Sequence, residues 1–188
     1  AMYLSTNLCP AHRREIIREM KTRLRDGKPC RVVSTSIISV GVDIDFPVVY
    51  LQYTGLDSLI QGAGRCNREG RQSLQKSRAH IFWTKESKKS LFMRKEKQVT
   101  DMIRKKYNAE EMTEPSAIRT YFENWYQSNE GNLDYREIEK LAQSLSFAEI
   151  GKRFHLINDS TKSVFIPFDE KARNIKEQLM MGNRSRQL

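Results

Sequence analysis

Two clusters of residues in this sequence have the types and spacing to do chemistry, and about twenty residues separate them. The first is Ser34-Thr35-Ser36-Ile37-Ile38-Ser39-Val40-Gly41-Val42-Asp43. Hydroxyls and free N–H groups at the carboxyl end of a strand hold phosphates. A glycine such as Gly41 lets the backbone turn sharply or approach a ligand. The carboxylate of Asp43 is then placed to accept hydrogen bonds from ribose hydroxyls. The second cluster is Gln61-Gly62-Ala63-Gly64-Arg65-Cys66-Asn67-Arg68, in which Gly64 offers another close backbone approach. Arg65 and Arg68 lie three apart, so a helix would point both the same way. A guanidinium reaching into a neighbouring lobe neutralises charge that develops on a γ-phosphoryl group. Gln61, one turn ahead of Arg65, would orient water or bind the nucleotide.

The surrounding pattern supplies elements that can position these groups. Leu4 to Thr6 reads as the tail of a strand, and Pro10 suits the first turn of a helix. That helix carries Ile16, Ile17, Met20 and Leu24 on one face and stops at Gly27. Short β runs follow at 31–34, 48–51 and 79–83, with Gly41 to Asp45 as a loop and a helix from Asp57, the expected cap, through Ala63. Helix and strand alternate over residues 3–84, the signature of an α/β fold built on a parallel sheet. Beyond Lys85 the chain turns helical: a basic stretch at 86–107 that includes Leu91, a helix opened by Pro115, and another from about Tyr135 to Leu145. A hairpin is expected around Asn158-Asp159, pairing 154–157 with 164–167, before a last helix from Asp169 to Met181.

Composition limits the class of partner. The 188 residues carry a formal net charge of +10, which suits a polyanion. No apolar run approaches the roughly 18 residues of a membrane span, and the N-terminus lacks a secretory pattern. The three cysteines, Cys9, Cys30 and Cys66, are scattered without a Cys-x-x-Cys pair, which favours reduced thiols in a cytoplasm.

The run Thr35-x5-Gly41-Val42-Asp43 followed by Gln61-x-x-Gly64-Arg65-x-x-Arg68 resembles motifs V and VI of superfamily 2 helicases. The finer wording resembles the CRISPR-associated helicase–nuclease of type I systems. It lies in Leu4-Ser5-Thr6-x-x-Cys9-Pro10-x-His12-Arg13, Gly41-Val42-Asp43-Ile44-Asp45-Phe46-Pro47, Gly55-Leu56-Asp57-Ser58 and Ala63-Gly64-Arg65-Cys66-Asn67-Arg68-Glu69-Gly70. It is strong over residues 4–84 and weaker at 154–157 and 165–170, which are similar to the start of that family's C-terminal domain.

The resemblance implies a partial RecA-like lobe at 1–85, truncated at its N-terminus, a helical linker at 86–150 and the beginning of an accessory domain at 151–188. It implies ATP bound between this lobe and a first lobe that holds Mg²⁺, single-stranded DNA as the track, and a surveillance complex and nuclease domain as partners. By position, Arg68 becomes the principal arginine finger with Arg65 beside it. Gln61 contacts the nucleotide, Asp43 lies near the ribose, and Ser5, Thr6 and Thr35 touch the DNA backbone. The phosphate-cradling Gly-x4-Gly-Lys-Ser/Thr loop, a magnesium-binding acidic box and the family's His-Asp pair are all missing from the sequence. An isolated lobe of this kind is expected not to hydrolyse ATP.

Simpler readings stand beside these. Asp43 and Asp45 lack a third ligand for a metal, and Asp45 reads as a residue that caps or turns its loop. Cys9 with His12 lacks an orienting carboxylate, so it reads as structural. Tyr121, Phe122, Trp125 and Tyr126 have helical spacing that suits a core, with base stacking as the alternative. The basic run at 85–106 reads equally as a DNA-following or a solvated face. The rival to the motor reading is a non-enzymatic fragment that binds nucleic acid or a partner.

Overall fold

The computed structural model of the chain describes residues 1–39, 41–73, 75–84, 94–155 and 162–181. Its first half alternates strand and helix: β1 (Met2–Leu4), α1 (Pro10–Arg25), β2 (Val32–Ser34), β3 (Val48–Gln52), α2 (Leu56–Ala63) and β4 (Arg78–Phe82). Helices follow: α3 (Arg94–Lys106), α4 (Pro115–Asn129), α5 (Ile138–Gln143), α6 (Phe147–Arg153) and α7 (Glu170–Met180). The architecture is therefore mixed, with helices around small parallel sheets.

α1 begins on Pro10, whose fixed φ and missing N–H suit a first turn. It closes in a left-handed turn at Gly27, φ +66°, with Gly27 N–H donating to the Leu24 carbonyl and Lys28 N–H to that of Arg23. Those two bonds satisfy carbonyls that a helix end leaves open. The helix lays Met20, fully buried, onto Leu4 of β1 and onto Val42, Ile44 and Phe46, with Ile16, Ile17, Leu24, Val32 and Val49 packed around them.

The strands depart from a single continuous sheet. β1 pairs with β2 and β3 pairs with β4, both in parallel, as two separate two-stranded ladders. Val32 and Val49 nonetheless belong to one core.

A second core joins α2 to the helices beyond it through Leu56, Val99, Ile103, Ala117 and Tyr121. Two tyrosines pin this junction. Tyr121 Oη donates to Asp57 Oδ1 at 3.0 Å, and Tyr53 Oη donates to Asp101 Oδ1 at 2.5 Å. Burial first, and the adjoining carboxylate second, push both phenols well above the usual tyrosine range. Arg104 lies 5.8 Å from the Tyr53 ring centre and 5.7 Å from that of Trp83, so at least one charge of the basic stretch is held by aromatic faces. Of the aromatic set on α4, Tyr121 is buried and Trp125 packs against it, whereas Phe122 and Tyr126 stay exposed.

Several expectations are corrected. The cap of α2 is Gly55 and not Asp57, because the Asp57 carboxylate is engaged by Tyr121. At Gly55 an added Cβ would stand 2.7 Å from Tyr121 Oη and 2.6 Å from Asp57 Oδ1, so the close packing there requires a glycine. The helix expected at 135–145 is shorter, and left-handed residues at Glu137 (φ 57°) and Leu145 (φ 54°) break the region into α5 and α6. No strand forms at 154–155 or 164–167, where Phe154, Val164, Phe165 and Ile166 are exposed. The expected turn at Asn158-Asp159 lies outside the described residues, as does Leu91.

Replacing Tyr121 tests the second core. Tyr121→Ala should lower unfolding free energy by about 3–5 kcal/mol in urea denaturation, and Tyr121→Phe by only about 1 kcal/mol. Equal losses in the two variants would mean that the hydroxyl bond, and not ring burial, holds the helices.

Candidate nucleotide-facing site

The loop between β2 and β3 is ordered by alternation. Val42, Ile44 and Phe46 turn inward and are buried at 8%, 3% and 8% exposure. The intervening Asp43 and Asp45 therefore face outward from the same short stretch. The segment after α2 docks onto them. Phe46 N–H donates to the Arg65 carbonyl, and Asn67 N–H to the Phe46 carbonyl, each at 2.8 Å. These bonds form a parallel bridge between Phe46 and Cys66.

That bridge overturns the expectation that Arg65 and Arg68 share a helical face. α2 ends at Ala63, Gly64 caps it, and Asn67 adopts a left-handed conformation with φ 47°. The two arginines consequently diverge. Arg65 Nη2 donates to the Ser39 carbonyl at 2.6 Å, and its buried Nε has no hydrogen-bond partner. Arg68 Nε donates to Asp43 Oδ1 at 3.0 Å across 25 residues of sequence. The pair is open to water, with 46% of the arginine side chain and 71% of the aspartate exposed, so it contributes at most about 1 kcal/mol. Its geometry is more informative than its energy: an exposed guanidinium rests on the carboxylate that was expected to face a ribose.

Asp45 does the structural work. Its Oδ1 accepts from Arg68 N–H at 2.7 Å and its Oδ2 from Glu69 N–H at 3.4 Å. It caps the turn, in line with the simpler reading of this residue. Asn67 closes the same turn from the other side, with Nδ2 donating to the Gln72 carbonyl at 2.8 Å and Oδ1 accepting from Gln72 N–H at 2.9 Å. Asn67 and Ser39 had no assigned part in the sequence. The alternation of apolar and acidic residues at 42–46 was the signal that placed both carboxylates on one side.

The remaining expected residues divide. Gln61 is exposed on α2, and Gly41 adopts φ +76°, a conformation that favours glycine. Gly64 has φ −63°, so its place does not require a glycine on conformational grounds. Thr6 and Thr35 are exposed, and Thr35 N–H donates to the Leu4 carbonyl at 3.1 Å. Ser5 is buried, with 1% exposure, and its Oγ accepts from Asn7 N–H at 3.2 Å, so a contact from this hydroxyl requires the turn to open. Among the described residues no three of His, Cys, Asp and Glu gather to hold a metal, and no helix is long and apolar enough to cross a membrane.

Residues 1–71 match the family described as "CRISPR-associated nuclease/helicase Cas3, C-terminal". Over those residues the chain is similar to the C-terminal part of Cas3. The Cas3 of Methanothermobacter thermautotrophicus is 28% identical over 147 residues, covering 68% of this chain and 18% of that protein. The Cas3 of Haloferax volcanii is 37% identical over 65 residues, covering 35% of this chain and 7% of that protein. The chain thus spans less than a fifth of either Cas3 relative. Crystal structures of T. fusca Cas3 share the fold over 81% of the chain: the form solved with ATP has a TM-score of 0.52 at 16% identity and 19% coverage, and a second has 0.51 at 17% and 20%.

Two outcomes are expected at this site. Asp45→Ala should speed amide hydrogen exchange at Arg68 and Glu69 and cost about 1 kcal/mol of stability, as loss of a cap does. Unchanged exchange at both amides would remove its capping role. Burial, and then the nearby Asp45 charge, push the Cys66 thiol upward, which keeps it protonated at neutral pH. Iodoacetamide should therefore alkylate Cys66 more slowly in the native chain than in urea, and equal rates would contradict this.

Proposed function

We propose that this chain is the second motor lobe of an ATP-dependent translocase that moves on single-stranded DNA in CRISPR interference, and that it is inactive as an isolated lobe. The observation that carries the reading is the juxtaposition of Arg68 with Asp43 at 3.0 Å on a loop held by Asp45 and by the Phe46–Cys66 bridge. A structural ion pair would serve as well buried. This one is exposed and two residues from exposed Gly41, where an incoming anion can compete for the guanidinium.

In this reading residues 1–85 form the RecA-like lobe, 86–150 the helical linker and 151–188 the beginning of an accessory domain. ATP, when bound between lobes, supplies the γ-phosphoryl group whose negative charge needs stabilising, with Mg²⁺ held by the first lobe. The residues here fit one wall of that site. Arg68 exchanges the Asp43 carboxylate for phosphate oxygens when the lobes close, which frees Asp43 for the ribose hydroxyls. Arg65, anchored to the Ser39 carbonyl with its Nε unpartnered, lies between the turn that follows β2 and the docked segment. It couples any movement of Arg68 to the Thr35 end of β2, and Thr35 and Thr6 contact the DNA backbone there, with Ser5 buried beneath them. Gln61 faces the nucleotide from α2. The formal charge of +10 favours a polyanionic track.

The purified chain should show no ATP hydrolysis with or without single-stranded DNA, and turnover should appear only when the first lobe and its P-loop are supplied. In the two-lobe assembly Arg68→Ala should lower kcat by about 10³-fold or more while ATP still binds. DNA-stimulated turnover by the chain alone, lost in Arg68→Ala, would overturn the shared-site reading.

A further inference from the structure

Aromatic and cationic groups meet outside the arginine site, where β3 and β4 end. Tyr53 follows β3 and Trp83 follows β4, and because the strands are parallel both rings stand at the carboxyl end of one ladder. That is the edge at which open parallel sheets bind ligands. The backbone is fixed on either side of Trp83. Tyr53 N–H donates to the Phe82 carbonyl at 2.8 Å, and Gln52 Nε2 donates to Thr84 Oγ1 at 3.3 Å. Tyr53 is only 5% exposed and its hydroxyl is committed to Asp101, so its ring is held in place. Trp83 leans on it, with ring centres 5.1 Å apart and planes 31° from parallel, yet the tryptophan remains 52% exposed.

An indole that serves packing hides most of its surface, whereas this one is half open on a rigid support. The cation beside it completes the pattern. Arg104 Cζ lies 5.7 Å from the Trp83 ring centre and 5.8 Å from that of Tyr53, within cation–π reach of both. Asp101 and Arg104 are about one turn apart on α3, so the carboxylate that pins Tyr53 also sets where the guanidinium stands. Lys105 and Lys106 follow in the last turn, both exposed, and none of these three cations has a carboxylate partner among the described residues. Arg136 also lies over an aromatic ring, that of Tyr135 at 5.2 Å, but those two are neighbours in sequence. Trp83 and Arg104 are brought together by the fold.

We infer that Trp83 and Arg104 form a stacking platform for one nucleobase of a single-stranded nucleic acid. The base lies on the open part of the indole, and Arg104 with Lys105 neutralises the phosphates that flank it. An exposed aromatic ring beside a cluster of cations binds single strands with little regard to sequence, because every base presents a π face and every nucleotide a phosphate. A strand that must be followed through any sequence needs a grip of that kind. A duplex keeps its bases stacked on one another and offers this site its phosphates alone. On α4, by contrast, Tyr121 and Trp125 are taken up by the second core. The inference rests on the motor reading for the class of its ligand, and it involves neither ATP nor Arg68.

The test measures, by fluorescence anisotropy and without nucleotide, how the full chain binds a labelled oligothymidylate of about 15 nucleotides. An abasic strand of the same length, which keeps the phosphates and lacks the bases, is measured beside it. The chain should bind the oligothymidylate the more tightly of the two. Trp83→Leu should weaken oligothymidylate binding by about tenfold and leave the abasic strand unchanged, with Trp83→Phe, which keeps a smaller ring, in between. The sequence has two tryptophans, Trp83 and Trp125. In Trp125→Phe the oligothymidylate should therefore quench the emission of Trp83, and the abasic strand and free thymidine monophosphate should not. Equal affinity of the unmodified chain for the two strands overturns the proposal, and that comparison needs no variant to fold. So does a Trp83→Leu chain that loses both strands alike, since the ring then only supports the fold. In either case the chain still binds a single strand and the motor reading stands, whereas failure of the unmodified chain to bind either strand removes both.

Discussion

The inward turn of Val42, Ile44 and Phe46 is the constraint on which the site rests. These three side chains enter the core beneath α1, and a chain that buries every second residue must send the others the opposite way. Asp43 and Asp45 emerge together as a consequence of packing, not of any attraction between them. Two neighbouring carboxylates repel, and the structure relieves this by giving each a different donor: a guanidinium for Asp43 and two backbone N–H groups for Asp45. The hydrophobic term is the larger by far, since full burial of an apolar side chain contributes about 1.5–3 kcal/mol and an exposed ion pair about 1 kcal/mol or less. The core sets the positions, and the charges respond to them.

The segment after α2 shows how a bridge overrides local propensity. Residues 61–68 have helical spacing, yet the helix stops at Ala63 because the next residues find better partners in Phe46. Backbone pairing with Phe46 satisfies an N–H and a carbonyl that would otherwise be left beside a buried aromatic ring. Asn67 tolerates the left-handed turn this requires, since its amide bonds back to Gln72. The two arginines then acquire separate tasks, one anchored and one exposed. In the same way the helices α3 and α4 are held to α2 by burial of Tyr121 and Ile103, with the Tyr53 and Tyr121 hydroxyls selecting Asp101 and Asp57 as partners.

Much was legible from residue order because it depended on short-range chemistry. Pro10 and Gly27 bracket α1, the apolar stripe through Met20 points to its buried face, and the β runs at 32–34, 48–52 and 78–82 lie where β-branched and aromatic residues cluster. The pairing of the Gly41-Val42-Asp43 and Gly64-Arg65 clusters was legible as a family resemblance, and the match of residues 1–71 to Cas3 agrees with it. The expected hairpin near Asn158 failed at its described flanks because a turn signal needs two strands with something to cover, and among the described residues Val164 to Pro167 pair with no strand.

The sequence by itself determined which residues are able to form helix or strand, which carry charge, and to which family the arginine-bearing segment is similar. Those properties reside in side-chain shape and in neighbours a few positions away. Only the tertiary structure decided that Arg68 meets Asp43, that Arg65 turns to Ser39, that Ser5 is buried and that the strands pair as two separate ladders. Each of these joins residues distant in sequence, and distant partners are chosen by the collective packing of the core and by the pairing of backbone groups, neither of which a local pattern encodes.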